Sequence, residues 1–235
     1  MPMNKQHSLH EQEDHWIPLS DLMTGLMMFF MLLAVAFMIT VEADSEKIKR
    51  VAILYDQLRS DLYNDLNAEF RKDLGRWGAE LEADLTVRFK EPDVLFDTGS
   101  AALKPRFTTI LNDFFPRYVS ILSSDKYRNS ITEIRVEGHT SSTWGQGTTT
   151  EDAYFNNMEL SQSRTRSTLQ YILQLPRLHK EHSWLRRYLT ANGLSSSRVI
   201  TGADGKENPA RSQRVEFKIR TDADARIATI LEVIK

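Results

Sequence analysis

The run LMTGLMMFFMLLAVAFMITV, residues Leu22–Val41, holds 20 residues without a charge, and its only polar side chains are Thr24 and Thr40. At about 1.5 Å of rise per residue, a helix of this length reaches roughly 30 Å, the thickness of a bilayer hydrocarbon core. Every face of it is apolar, which suits lipid and not the one buried stripe of a core helix in a small domain. A cleaved secretion signal fits poorly, because the preceding residues carry Lys5 with Glu11, Glu13 and Asp14 and no small-x-small pattern follows the run. The sequence therefore predicts a membrane helix over residues 19–41 after a short tail, residues 1–18.

The start of that helix carries its chemistry. Trp16 suits the membrane interface, and Pro18 sits where a first helical turn tolerates a missing N–H. Asp21 then shares one face with Thr24, Gly25 and Met28, at i, i+3, i+4 and i+7. Small residues let helix backbones approach, and a carboxyl does not face acyl chains cheaply, so this stripe is expected to meet another helix. An ionisable residue inside a membrane marks an ion pathway by default, and each charge crossing yields about 2.3 kcal/mol per 100 mV. Asp21 is the candidate proton carrier; a helix cap in the headgroup region is the bland alternative. One helix cannot enclose a pathway, so partner helices from a second protein and from further copies of this chain are expected. The flanks argue weakly about topology: Lys47, Lys49 and Arg50 outnumber Lys5, against a cytoplasmic N-terminus, but Glu42, Asp44 and Glu46 interleave with them.

Working outward, the 235 residues carry 30 Lys plus Arg against 32 Asp plus Glu, a net charge of -2, and no Cys. That balance excludes a strongly basic nucleic-acid binder, and the missing thiols exclude disulfides, thiolate metal sites and cysteine catalysis. After the membrane run, Ile48, Val51, Tyr55, Leu58, Leu62, Leu66 and Phe70 recur at three- and four-residue steps, predicting an amphipathic helix within a juxtamembrane segment, residues 42–84, which Gly75 and Gly78 break or end. From residue 85 to 221 the pattern reads as one α+β domain. Strands are expected over 85–89, 94–96, 131–137, 199–201 and 214–219, and helices over 103–122 and 158–175. Residues 141–150 are expected to be a polar loop, and residues 222–235 a closing helix.

Four blocks, LFDTGSAALKP (95–105), VEGHTSS (136–142), NMELSQSR (157–164) and SQRVEFKI (212–219), resemble in order those of the OmpA-like peptidoglycan-binding domain. The resemblance implies a periplasmic domain that grips the diaminopimelate stem of the cell wall. Arg164 matches the family's ligand-holding Arg, and Asn157 and Leu160 match its flanking binding positions. A fixed guanidinium holds a carboxylate through paired hydrogen bonds. Ser141 stands where that family has an Asp, and a hydroxyl cannot pair with the ligand's ammonium; Asp152, downstream, is the candidate replacement carboxylate.

The order of tail, membrane helix with an early Asp, and OmpA-like domain resembles the MotB stator family, and Asp21 matches that family's proton-carrying Asp. The short tail, the helix after the membrane and the replaced ligand Asp are more similar to the ZorB family of Zorya anti-phage defence systems. What this implies is a dimer inside a pentameric ring of a ZorA/MotA-like partner, in the bacterial inner membrane, with residue 1 in the cytoplasm and the C-terminal domain in the periplasm. A flagellar MotB-type stator subunit and a passive membrane-tethered wall anchor are the alternatives. An enzyme is not expected: His139 and Ser141 lack a nucleophile elbow, and His179, Glu181 and His182 lack further placed metal ligands. Nor is a cofactor or nucleic-acid partner, since no glycine-rich phosphate loop or basic aromatic stripe occurs.

Overall fold

In the computed structural model, which describes residues 16–90 and 92–222, the first element is α1, an unbroken helix of 55 residues, Trp16–Phe70. The expected membrane helix and the helix after it are thus consecutive parts of one element. No boundary falls at residue 42, because Val41 to Ser45 contains neither Gly nor Pro and polarity changes there without any helix-stopping residue. The chain divides into two compact units between Leu54 and Tyr55. In the first, the apolar side chains from Leu22 to Val41 are exposed, Leu22 and Phe37 by 70% each. Pro18–Glu46 is long and apolar enough to cross a membrane, and none of it is buried.

In the second unit α1 ends on Leu62, Leu66 and Phe70, all fully buried. There follow α2 (Leu74–Trp77), closed by Gly78 in the left-handed conformation (φ 63°), and the short edge strand β1 (Ala79–Leu81). Next come β2 (Val87–Phe89), α3 (Pro92–Leu95), α4 (Pro105–Leu122), β3 (Ile131–His139) and α5 (Thr150–Leu173). A 3-10 turn, Pro176–Glu181, leads to α6 (His182–Tyr188), β4 (Leu189–Gly193), α7 (Pro209–Ser212) and β5 (Arg214–Thr221). The sheet order is β1-β2-β5-β3-β4, with β3 and β4 parallel and the other neighbours antiparallel.

The core is aromatic and centred on Phe114 of α4. Its ring lies 5.3 Å from Phe70, 5.4 Å from Phe89, 4.9 Å from Tyr118 and 5.3 Å from Phe217. Helix α4 runs through Pro116, which withholds one backbone bond from Asn112. The buried rings on either side of the proline compensate for that lost bond.

Several expected elements shift. The strand expected from residue 85 begins at Val87, because Leu85 takes a left-handed conformation (φ 69°) in the turn that joins β1 to β2. The strand expected over 94–96 is the end of α3, with Phe96 making a lone bridge to Leu103; Pro92 is preset for a first helical turn. The segment expected as a strand over 199–201 contributes only a bridge from Thr201 to Glu207. The helix expected from Met158 starts eight residues earlier, capped by Thr149, whose side chain accepts from the Asp152 N–H. The closing helix expected over 222–235 lies, from residue 223 onward, outside the described residues.

Candidate functional site

Two glycines seat the helix that carries Arg164. A Cβ on Gly138 of β3 would stand 2.8 Å from Thr165 Cγ2, and one on Gly193 of β4 would stand 2.2 Å from the Gln162 nitrogen. Only hydrogen at both positions lets α5 lie this close to the sheet. Arg164 thereby reaches the loop closed by the Phe96–Leu103 bridge, with Nε donating to the Ser100 carbonyl (2.8 Å) and Nη2 to that of Asp97 (3.0 Å). Its guanidinium lies 4.9 Å from the Phe96 ring centre. Burial lowers the Arg164 pKa from its ordinary value, and among the described residues no carboxylate pairs with it. The neighbouring Asp97 carboxylate is turned to Lys104, 2.9 Å away.

Arg164, Asn157, Leu160 and Ser141 line one pocket of about 300 Å³, so the structure brings together four of the five residues read from the sequence as wall-binding. Ser141 is buried, with Oγ 3.1 Å from Thr143 Oγ1, and Asn157 Nδ2 donates to the Thr143 carbonyl at 3.3 Å. Asp152 is not among the lining residues. It lies in the first turn of α5 and not in a loop, and its Oδ2 accepts from Thr149 Oγ1 at 2.8 Å. Thr143 and Trp144, which lie outside the four motif blocks, also line the pocket, as does Gln213 from the last block. One buried cation among hydroxyls and amides makes this a site for an anionic group, and the planar fork favours a carboxylate. A larger cleft of about 520 Å³ between α4 and the 3-10 turn contains none of these residues.

The opposite face of the sheet holds His139. Its ring is buried between Glu137 and Glu216, with Nε2 3.4 Å and 3.6 Å from their carboxylates. These three could form a metal-ligand set, their ligand atoms lying within 4.8 Å of one another. The chain itself supplies the cations there. Lys218 Nζ is 3.0 Å from Glu137 and 3.1 Å from Glu216, while Arg88 and Arg214 reach Glu216 at 2.8 Å and 2.6 Å. Burial alone would raise the Glu137 pKa, but His139 and Lys218 outweigh it and hold the carboxyl at about 2; Glu216 is lowered further, with Arg214 adding to His139. His179 and His182 stack on each other, and Glu181 pairs with Arg128 at 2.8 Å, so these three do not converge as ligands.

In the first unit Asp21, Thr24, Gly25 and Met28 are all exposed or open. Thr24 Oγ1 is turned back to the Ser20 carbonyl at 2.7 Å, so the carboxyl is the polar group that stripe presents, beside the bare glycine and the exposed Met28.

No family model matches the chain. Over 223 residues, 94% of each chain, it is 48% identical to Zorya protein ZorB of Escherichia coli strain Crooks. The chain belongs to the ZorB family. Among solved structures, a MotB-like protein from Desulfovibrio vulgaris shares the fold of this ZorB-family chain, with 24% identity, 72% of this chain and 98% of that one covered, and a TM-score of 0.50. The cell wall anchor of the type VI secretion system from Pseudomonas aeruginosa aligns at 22% identity over 66% and 96%, with a TM-score of 0.44.

Proposed function

We propose that this ZorB-family chain is a stator-type subunit of a proton-driven inner-membrane motor, tied to peptidoglycan and acting in anti-phage defence. The observation that carries the reading is the 48% identity to Zorya protein ZorB across nearly the whole of both chains. Asp21, on an exposed stripe of small and polar residues at the start of the apolar span, carries the proton. Two copies of the chain sit within a pentameric ring of a ZorA/MotA-like partner, which supplies the rest of the pathway. At about 2.3 kcal/mol per charge per 100 mV, the proton gradient can bias rotation of one part against the other. Arg164, with Asn157, Leu160 and Ser141, holds a carboxylate of the wall peptide and fixes the dimer. Residue 1 is then cytoplasmic and the sheet domain periplasmic, on the side where peptidoglycan lies. No catalysis and no nucleic-acid contact is assigned to the chain.

Asp21→Asn tests the motor. It keeps the size of the side chain and removes the titratable oxygen, so phage protection is expected to be lost while the complex with the partner still purifies intact. Protection retained by Asp21→Asn would leave a passive wall anchor as the function.

A further inference from the structure

Part of the Arg164 pocket is built from loop: Ser141, Thr143, Trp144 and Gly145 belong to the segment that joins β3 to α5. Little in that segment holds itself in place. Residues 145–147 are exposed, and Gly145 and Gly147 both take left-handed φ, 46° and 79°. Exposed chain of this composition is mobile unless other parts of the fold tie it down.

Among the described residues, the hydrogen bonds that tie residues 142–148 to distant parts of the domain run to two side chains. Asn157 Nδ2 donates to the Thr143 carbonyl at 3.3 Å. The other is Glu207, 65 residues along the chain. One of its carboxylate oxygens accepts from the Ser142 N–H at 3.0 Å and the other from the Ser142 hydroxyl. Two hydrogen bonds to an ionised acceptor make this the stronger of the two ties. Glu207 itself is firmly placed. It closes the hairpin 201–207 through its bridge to Thr201, and the next residue, Asn208, donates its N–H to the Ile200 carbonyl at 2.7 Å. The Ile200 N–H in turn donates to Ser212 Oγ at 2.9 Å, one residue before Gln213 of the pocket. Among the described residues no cation pairs with Glu207, so its carboxylate is committed to Ser142.

We propose that Glu207 is a positioning residue of the Arg164 pocket: it latches the loop after β3 to the hairpin 201–207 and so fixes Ser141, Thr143 and Trp144 before a ligand arrives. The proposal rests on the reading of that pocket as the wall-peptide site. A pocket whose loop is already ordered binds without the cost of ordering it, whereas a released loop subtracts that cost from the affinity.

The test titrates a soluble peptidoglycan stem peptide into the full chain in detergent by calorimetry, and follows amide hydrogen exchange of residues 142–148 by mass spectrometry. Glu207→Ala should weaken the peptide about tenfold, the ordering cost of roughly one backbone residue. It should also speed exchange in residues 142–148 and leave the urea midpoint of the domain unchanged. Glu207→Gln keeps an oxygen for the Ser142 N–H and an amide that can donate to the Ser142 hydroxyl, so it should bind within about twofold of wild type. Arg164→Ala should weaken the peptide whatever stands at position 207. Unchanged affinity or unchanged loop exchange in Glu207→Ala, or a Gln variant as weak as the Ala variant, overturns the latch and leaves the wall-peptide reading standing as long as Arg164→Ala still weakens binding. Faster exchange across the whole sheet with a lowered urea midpoint overturns it too, in favour of a general structural role. No binding of the peptide to wild type overturns both proposals.

Discussion

Glu137 and Glu216 expose 2% and 1% of their side chains, and both remain charged. Withdrawing a carboxylate from water favours its neutral form, but Lys218 bridges the pair, Arg88 and Arg214 reach Glu216, and His139 stands between them. The folded state thus binds a proton at Glu137 only near pH 2, against an ordinary value of 4.5. A group depressed on folding contributes stability that is present above its unfolded pKa and lost as pH falls toward the folded one. Urea midpoints of the full chain should therefore hold from pH 7 to about 5 and fall between about pH 4.5 and 2, with Glu137 contributing about 3 kcal/mol of the loss. Glu137→Gln should be less stable at pH 7 and show a shallower acid limb; an unchanged limb would place the acid sensitivity elsewhere. The alternation of β3 shows in the sequence that residues 133, 135, 137 and 139 share one face, but not that this face is buried at its centre. Arg214 stands two residues from Glu216 on β5, but Lys218 reaches Glu137 from β5 and Arg88 reaches Glu216 from β2, strands far apart in the chain from the acids they neutralise.

Among the elements, α1 differs most from its expected role. The three- and four-residue spacing of its apolar residues identifies a packed stripe, without saying against what. In the second unit Leu62, Leu66 and Phe70 are part of the core of the sheet domain, and Leu58 packs at its edge. Arg117 of α4 secures this end of the helix, reaching Glu69 at 2.6 Å and Asp73 at 3.0 Å while lying over the Phe70 ring. Leu66→Ala removes a fully buried side chain and should cost about 3 kcal/mol, read as a drop in urea midpoint by tryptophan fluorescence. A loss below about 1 kcal/mol would mean that the helix end is not part of the core. Strands β1 and β4 had no readable signal. Leu189-Thr-Ala-Asn-Gly193 has weak strand propensity, and its register comes from the parallel pairing with β3 and the close approach of α5 to Gly193.

At the scale of the molecule, the folding unit beyond the membrane run starts at about Tyr55, where the chain divides, and not at residue 85. A fragment from residue 55 onward should unfold cooperatively. One from residue 85 lacks Leu62, Leu66, Phe70, Trp77 and the edge strand, and it should show a broad transition or none in the same urea titration; equal cooperativity would show the extra segment to be dispensable. The membrane span and its one acid were determined by the sequence alone, because crossing a bilayer depends on a contiguous stretch whose length and polarity are local properties. The α+β pattern and the place of Arg164 in an ordered motif were legible for a similar reason, each block being short and continuous. What the tertiary structure decided is the charge and reach of the pocket. The carbonyls that hold Arg164 lie 64 and 67 residues away, Ser141 and Asn157 meet through Thr143, and the Asp152 carboxylate is drawn off to the hydroxyl of Thr149, the cap of α5. Such a site is a sum over segments distant in sequence, and only the packing of α5 against Gly138 and Gly193 brings those segments into hydrogen-bonding range.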